Sequence, residues 1–248
     1  MVALKLSSNT SAATSTTGNA PDTQHIHDVL IIGAGPAGSM LACTLSRLGI
    51  RAAVFDQEED VHTWGRGDAL LPRTVEILSQ LGNAHPGTSV GDSVISRSTI
   101  ISALAGYNAS GSDGLGSGVR QPMLSLLDVD QQQIYGIRQG RVEQSLLEDY
   151  ERTALGGPAL VYRPYRFTKL DYARNEDPIA VTFDHGKTGQ ELVVKARFVI
   201  GADGGRSMMR KALQPFGITF DGSTPEDLWC AIDLVGVTTD FPDTRNYW

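Results

Sequence analysis

DVLIIGAGPAGSMLACTLSRLGIRAAVFD, residues 28–56, reads as a strand, a turn, a helix and a second strand. Val29 to Ile32 form an apolar run suited to a buried parallel strand. Gly33, Gly35 and Gly38 follow in G-x-G-x-x-G spacing. The first glycine permits a tight turn, the second lets backbone approach a pyrophosphate, and the third lets the helix pack close to the strand. The pattern predicts a helix from Pro36 to Leu48 whose unpaired N–H groups and positive dipole end face the phosphates. An anion there gains roughly 0.3–1 kcal/mol when exposed and up to about 2 when partly buried. Gly49 ends the helix, and Arg51 to Phe55 make the second strand. Asp56, 18 residues after Gly38, can accept hydrogen bonds from a ribose hydroxyl. A Gly-rich turn in an ordinary α/β protein would need neither the three glycines nor the distal acid. The unit predicts dinucleotide binding and leaves flavin and nicotinamide both open.

Composition narrows the alternatives. The 248 residues suffice for one large domain or two modest ones, and 41% hydrophobic content supplies a core. A net charge of −7 argues against nucleic-acid binding, which relies on clustered Lys and Arg. No apolar run is long enough to span a bilayer, so no membrane partner is expected. Cys43 and Cys230 give neither a disulfide framework nor metal-ligand spacing, and a cytoplasmic, reducing setting is the expectation. Residues 1–27 are rich in Ser, Thr, Asn and Gly and read as a mobile tail. His25 and His27 lie at its edge without a third ligand, and no metal site is expected.

Beyond Asp56, Pro72 begins a helix whose apolar face carries Val75, Ile77, Leu78 and Leu81, with Gly82 as its C-cap. Arg66 and Asp68 stand in the Gly-rich loop before it. Residues 85–121 are Gly- and Ser-rich and predict irregular hairpins and loops, with short apolar pieces at 90–95 and 100–104. A short strand within 131–137 leads to a helix from Gln139 to Ala154, with Val142, Leu146 and Leu147 inward and Glu143, Glu148 and Asp149 in water. Strands are expected at 159–162, 167–172, 179–183 and 191–198, with a turn at Asp184-His185-Gly186-Lys187. The last strand enters a second strand–turn–helix, IGADGGRS at 200–207, with its helix starting near Met208.

Taken in order, GAGPAG, GRGD-x-x-x-PRT-x-E, QGRVEQSLLE, IGADGGRS and DFPDTR resemble the flavin-dependent aromatic hydroxylases, and most of all the phenol 2-monooxygenase branch with its fungal secondary-metabolite enzymes. The resemblance covers residues 28–246 and turns the expected dinucleotide from NAD to FAD. It implies an α/β fold (α+β overall): a Rossmann-type FAD-binding domain with an interleaved β-sheet substrate domain. Residues 28–210 would form the FAD domain, discontinuous around insertions at about 85–135 and 159–196, and 211–248 the start of the substrate domain. It further implies that Gly33, Gly35, Ala37 and Gly38 form the pyrophosphate loop and that Asp56, with Gln57 beside it, takes the ribose. By the same likeness Arg66, Gln139 and Asp203 contact FAD, and Asp203 is tied to NAD(P)H use. Asp68 would sit by the phenolic substrate as its catalytic base or the residue that orients one. The implied reaction is hydroxylation of a small aromatic substrate with NAD(P)H and dioxygen.

Relatives of this type continue past DFPDTR with more substrate sheet and a closing Gly-Asp strand end. The expectation is therefore of a chain truncated at its C-terminus, its missing half supplied by a separate chain, or of a catalytically silent FAD-binding protein. A nicotinamide-linked reductase using only the first fingerprint is the remaining alternative.

Overall fold

The structure is a computed structural model that describes residues 21–62, 67, 69–81, 89–101, 103–107, 120–125, 133–154, 160–173, 178–223 and 244–247. Residues 1–20 of the expected 1–27 tail, with Gly82, Arg66 and Asp68, lie outside the described residues, whereas Ile26 and His27 belong to the first strand and not to a tail, because they pair with Lys195 and Ala196.

Strand β1 (Ile26–Ile32) leads through the glycine turn to helix α1 (Pro36–Arg47) and strand β2 (Ala52–Phe55). A two-residue strand β3 (Ala69–Leu70) precedes α2 (Pro72–Gln80). Helix α3 (Val90–Ser96) is followed by β4 (Thr99–Ile101), β5 (Ala103–Tyr107), β6 (Arg120–Ser125) and β7 (Ile134–Gly136). Helix α4 (Gln139–Thr153) returns the chain to β8 (Leu160–Tyr162), β9 (Tyr165–Asp171), β10 (Ile179–His185) and the long β11 (Glu191–Gly201). Helix α5 (Met208–Ala212) comes next, and β12 (Thr244–Tyr247) is the last element.

The main sheet has the order β8-β2-β1-β11-β10-β9. Its β8, β2, β1 and β11 run parallel, while β10 is antiparallel to both β11 and β9. β11 serves two partners: its first half closes the hairpin with β10, and its second half pairs with β1 from Lys195 to Gly201. Two further three-stranded sheets have the orders β3-β7-β4 and β12-β5-β6.

Alternation along the central strands feeds two cores, as expected for a sheet covered on both faces. Val29, Ile31, Ala52 and Val54 pack with residues of α1, α3 and α4. Leu30, Ile32, Ala53 and Phe55 face Phe167, Val181, Phe183 and Met209, with the rings of Phe55 and Phe183 stacked 4.3 Å apart. Hydrogen bonds also join α1 to α4: the Cys43 thiol donates to Leu146 O (2.9 Å) and Ser46 Oγ to Thr153 O (2.7 Å). Burial pushes the Cys43 thiol up to about 12, so it is a packing group at neutral pH.

Four further expectations need correcting. Residues 90–96 are a helix rather than a loop piece, started by a reciprocal capping box between Ser89 and Asp92. Ile77 is 38% exposed, whereas Val75, Leu78 and Leu81 are buried. Asp149 is buried instead of wet, because Arg47 from α1 and Arg152 from its own helix both hold its carboxylate. Burial raises that carboxyl's pKa, but the two guanidinium hydrogen bonds outweigh burial and hold it below the ordinary range. Glu143, also expected in water, is 1% exposed and belongs to the site described next.

Candidate dinucleotide-binding cleft

A cleft of about 550 Å³ opens at the carboxyl ends of β1, β2 and β11. Open α/β sheets bind ligands there, in pockets of roughly 300–1,000 Å³. Its floor is made where two turns touch. Gly33 has φ +104°, and a Cβ on it would lie 2.5 Å from Ala202 O in the turn after β11. Two backbone hydrogen bonds tie this junction: Gly33 N–H donates to Phe55 O and Ala202 N–H to Ile32 O, both at 2.7 Å. Gly38 packs as tightly, since its Cβ would fall 1.9 Å from Gly33 O.

Gly35 is the N-cap of α1, no side chain caps that end, and no acid stands in its first turn. The helix N-terminus thus faces the cleft without a side-chain acceptor. A Cβ on Gly35 would meet only Glu143 Oε1, at 4.0 Å, so a phosphate can approach the backbone there. This cradle fits a pyrophosphate.

Asp56 stands at the end of β2, as the spacing predicts. Its Oδ2 accepts from Ala34 N–H (2.6 Å), and its Oδ1 accepts from Glu58 N–H (2.8 Å) and Arg163 Nη1 (3.2 Å). Gln57 follows it along the cleft wall. On the opposite side, Gln139 starts α4, and its Nε2 donates to Glu143 Oε1 at 2.7 Å. Gln139 N–H also donates to Gly67 O (3.2 Å). Asp203 lines the cleft, yet its carboxylate is engaged by its own helix: Oδ1 accepts from Ser207 Oγ (2.6 Å), Oδ2 from Met208 N–H (2.7 Å) and Met209 N–H (3.0 Å). Tyr165 also lines the wall, where burial raises its phenol and keeps it neutral at physiological pH.

The structure therefore brings Gly33, Gly35, Ala37, Asp56, Gln57, Gln139 and Asp203 to one cleft, with Gly38 packed behind the loop. Glu143 and Arg163 are among the lining residues that were not foreseen. Glu143 follows Gln139 by four positions on α4, a spacing that places both on one helix face. Arg163 lies between two strands, and no sequence motif marks it.

Residues 27–248 match the family described as FAD binding domain. The chain belongs to that family. FAD is accordingly the cofactor of this chain. This FAD-binding chain is similar to an FAD-dependent monooxygenase of Aspergillus terreus, 32% identical over 220 residues, covering 87% of this chain and 28% of that protein. It is 29% identical over 221 residues to a phenol 2-monooxygenase of Aspergillus fumigatus, covering 88% of this chain and 34% of that one. Its fold is similar to that of the anhydrotetracycline hydroxylase OxyS from Streptomyces rimosus, with a TM-score of 0.60 and 26% identity over 81% of this chain and 36% of the other. The chain thus spans 28–36% of the length of these relatives.

Proposed function

We propose that this chain is the FAD-binding part of a monooxygenase that hydroxylates a phenolic or other small aromatic substrate with NAD(P)H and dioxygen, in fungal secondary metabolism or a related pathway. The observation that carries the reading is the uncapped N-terminus of α1 facing a cleft built from both turns, in a chain of the FAD binding domain family. Bound flavin would supply the activation of dioxygen. The chain's own residues would hold it. The N–H groups around Gly35 and Ala37 would take the pyrophosphate, Asp56 a ribose hydroxyl, and Gln139 the middle of the cofactor. Asp203 would act by fixing the second turn through the α5 cap. Arg66 and Asp68 are proposed as a flavin contact and as the group that takes the phenol proton; phenol has a pKa near 10, like tyrosine.

The parallel pairing of β12 with β5 supports a substrate-side unit made of residues from both 85–135 and 211–248, set against an FAD domain over most of 28–210. Among the described residues no helix is long and apolar enough to cross a membrane. A second reading, in which the chain binds FAD without turning over a substrate, rests on the same cleft and family.

The deciding experiment is the visible absorption of the purified chain before and after adding FAD. Stoichiometric bound flavin is expected, and NAD(P)H oxidation with a panel of phenols then separates the two readings. A protein that takes up no flavin would overturn both. If Asp68→Asn left hydroxylation and its pH profile unchanged with FAD fully bound, the base assignment would be wrong.

A further inference from the structure

Asp56 has less to offer a ribose than its position suggests. An ionised carboxylate has about four acceptor sites. Three donors already reach this one: Ala34 N–H, Glu58 N–H and Arg163 Nη1. A ribose diol carries two adjacent hydroxyls, and Asp56 can accept a hydrogen bond from about one. The second hydroxyl needs a different partner.

Arg163 stands where that partner is needed. β8 ends at Tyr162, whose carbonyl accepts from Asp56 N–H at 3.0 Å. Two residues after Arg163, Tyr165 N–H donates back to Asp56 O at 2.7 Å. The backbone on either side of Arg163 is thereby clamped to Asp56. Its guanidinium is held through Nη1, which reaches Asp56 Oδ1 as well as Glu58 O (3.3 Å) and Asp60 O (3.0 Å). Nε and Nη2 have no acceptor among the described residues. The side chain is 11% exposed and lines the cleft. A guanidinium fixed by one edge keeps its remaining N–H groups and its flat faces in a set orientation, suited to an oxygen acceptor and to an aromatic base.

Resting on the FAD reading above, we infer that Arg163 is a cofactor-binding residue for the adenosine half. It shares the ribose diol with Asp56 and presents its guanidinium to the adenine side. Asp56 accepts from one hydroxyl, while Arg163 donates to the oxygen of the other and offsets the charge of the carboxylate beside it. The pair selects an adenosine-bearing flavin over flavin mononucleotide.

Equilibrium titration with three probes tests this: FAD, ADP (the adenosine half alone) and FMN (the flavin half alone), against wild type, Arg163→Met and Arg163→Lys. Arg163→Met is expected to weaken FAD and ADP by a common factor of about 10–100, the range for one lost hydrogen bond to a charged group, and to leave FMN binding unchanged. Arg163→Lys keeps a charge without the fork and should fall between Met and wild type for FAD and ADP. Equal weakening of FAD and FMN in either variant would make Arg163 a structural residue and overturn the inference, as would unchanged affinity for ADP. Should Arg163→Met fail to fold, the Lys variant gives the same readout. Wild type that binds ADP in an Arg163-dependent way but takes no flavin would overturn the FAD reading while the adenosine assignment stands. Binding of neither would overturn both.

Discussion

Two strand–turn–helix units meet at the cleft, β1–α1 and β11–α5, and they treat their helix N-termini in opposite ways. α1 has twelve residues and no side-chain cap at Gly35. α5 has five residues, and its first N–H groups are held by Asp203 and Ser207. The first unit is braced from behind by α4 through Arg47–Asp149, Cys43–Leu146 and Ser46–Thr153. The second leaves Met208 half-exposed. A helix end can stay open to a ligand where tertiary contacts stabilise the helix. A one-turn helix has to satisfy its own N–H groups.

The sharpest way to break this contrast is at the junction. Gly33→Val would place a side chain against Ala202 O with φ at +104°, and it should abolish folding or weaken FAD binding by at least about 100-fold. Gly204→Ala, at φ +79° with nothing within 4 Å, should cost only about 1–2 kcal/mol and keep flavin bound. A Gly33→Val protein with normal FAD affinity would show that the two turns need not touch.

Next in size is the brace. Asp149→Ala leaves Arg47, 19% exposed, without its buried partner and should cost about 3 kcal/mol in denaturant unfolding. A loss under 1 kcal/mol would mean that α4 does not support the open end of α1 through this pair.

The start of β1 gives a smaller, pH-dependent effect. His27 is buried, its Nε2 has no hydrogen-bond partner among the described residues, and burial, with help from His25 and Arg51, lowers its pKa from 6.5 to about 4. The unfolded state therefore takes the proton first as pH falls. Stability should be full above pH 6.5 and decline toward pH 4, by about 2 kcal/mol near pH 4.5. Unfolding at pH 7, 5.5 and 4.5 should show this slope in wild type and a flatter one in His27→Leu; equal slopes would assign the acid sensitivity elsewhere.

The smallest effect sharpens the role of Asp203. Asp203→Ala should lower stability by about 1 kcal/mol, and Asp203→Asn should restore most of it, because Asn caps as well as Asp. If Asn binds FAD as poorly as Ala while restoring stability, the carboxylate also contacts the cofactor.

The first unit was legible in the sequence because every part of it is local: Val29–Ile32, the three glycines and Asp56 all lie within 28 residues of one another. The second unit was legible for the same reason. The misreadings have different causes. Charge pattern put Glu143 and Asp149 in water, but Arg47, 102 residues away, reaches Asp149, and Glu143 turns inward beside Gln139 on its own helix. Arg163 joined the site because β8 pairs with β2, and a three-residue strand carries no signal of its parallel partner. The helix at 90–96 was hidden by its Gly- and Ser-rich surroundings, although Ser89-Val90-Gly91-Asp92 is a capping box with Asp in the acidic position.

The pairing of β1 with β11 carries a consequence for synthesis on the ribosome. Each register pair, from Ile26–Lys195 to Ile32–Gly201, joins residues 169 positions apart. The glycine fingerprint leaves the exit tunnel early, but its neighbouring strand is translated much later. During that interval one apolar flank of β1 has no strand beside it, and a nascent chain in this state is open to wrong pairing. Closing so long a loop is also slow, as expected for sheets built from distant segments. Ribosome-bound chains halted before Lys195 should therefore be protease-sensitive around Ile26–Ile32, and chains extended beyond Gly201 should become resistant there.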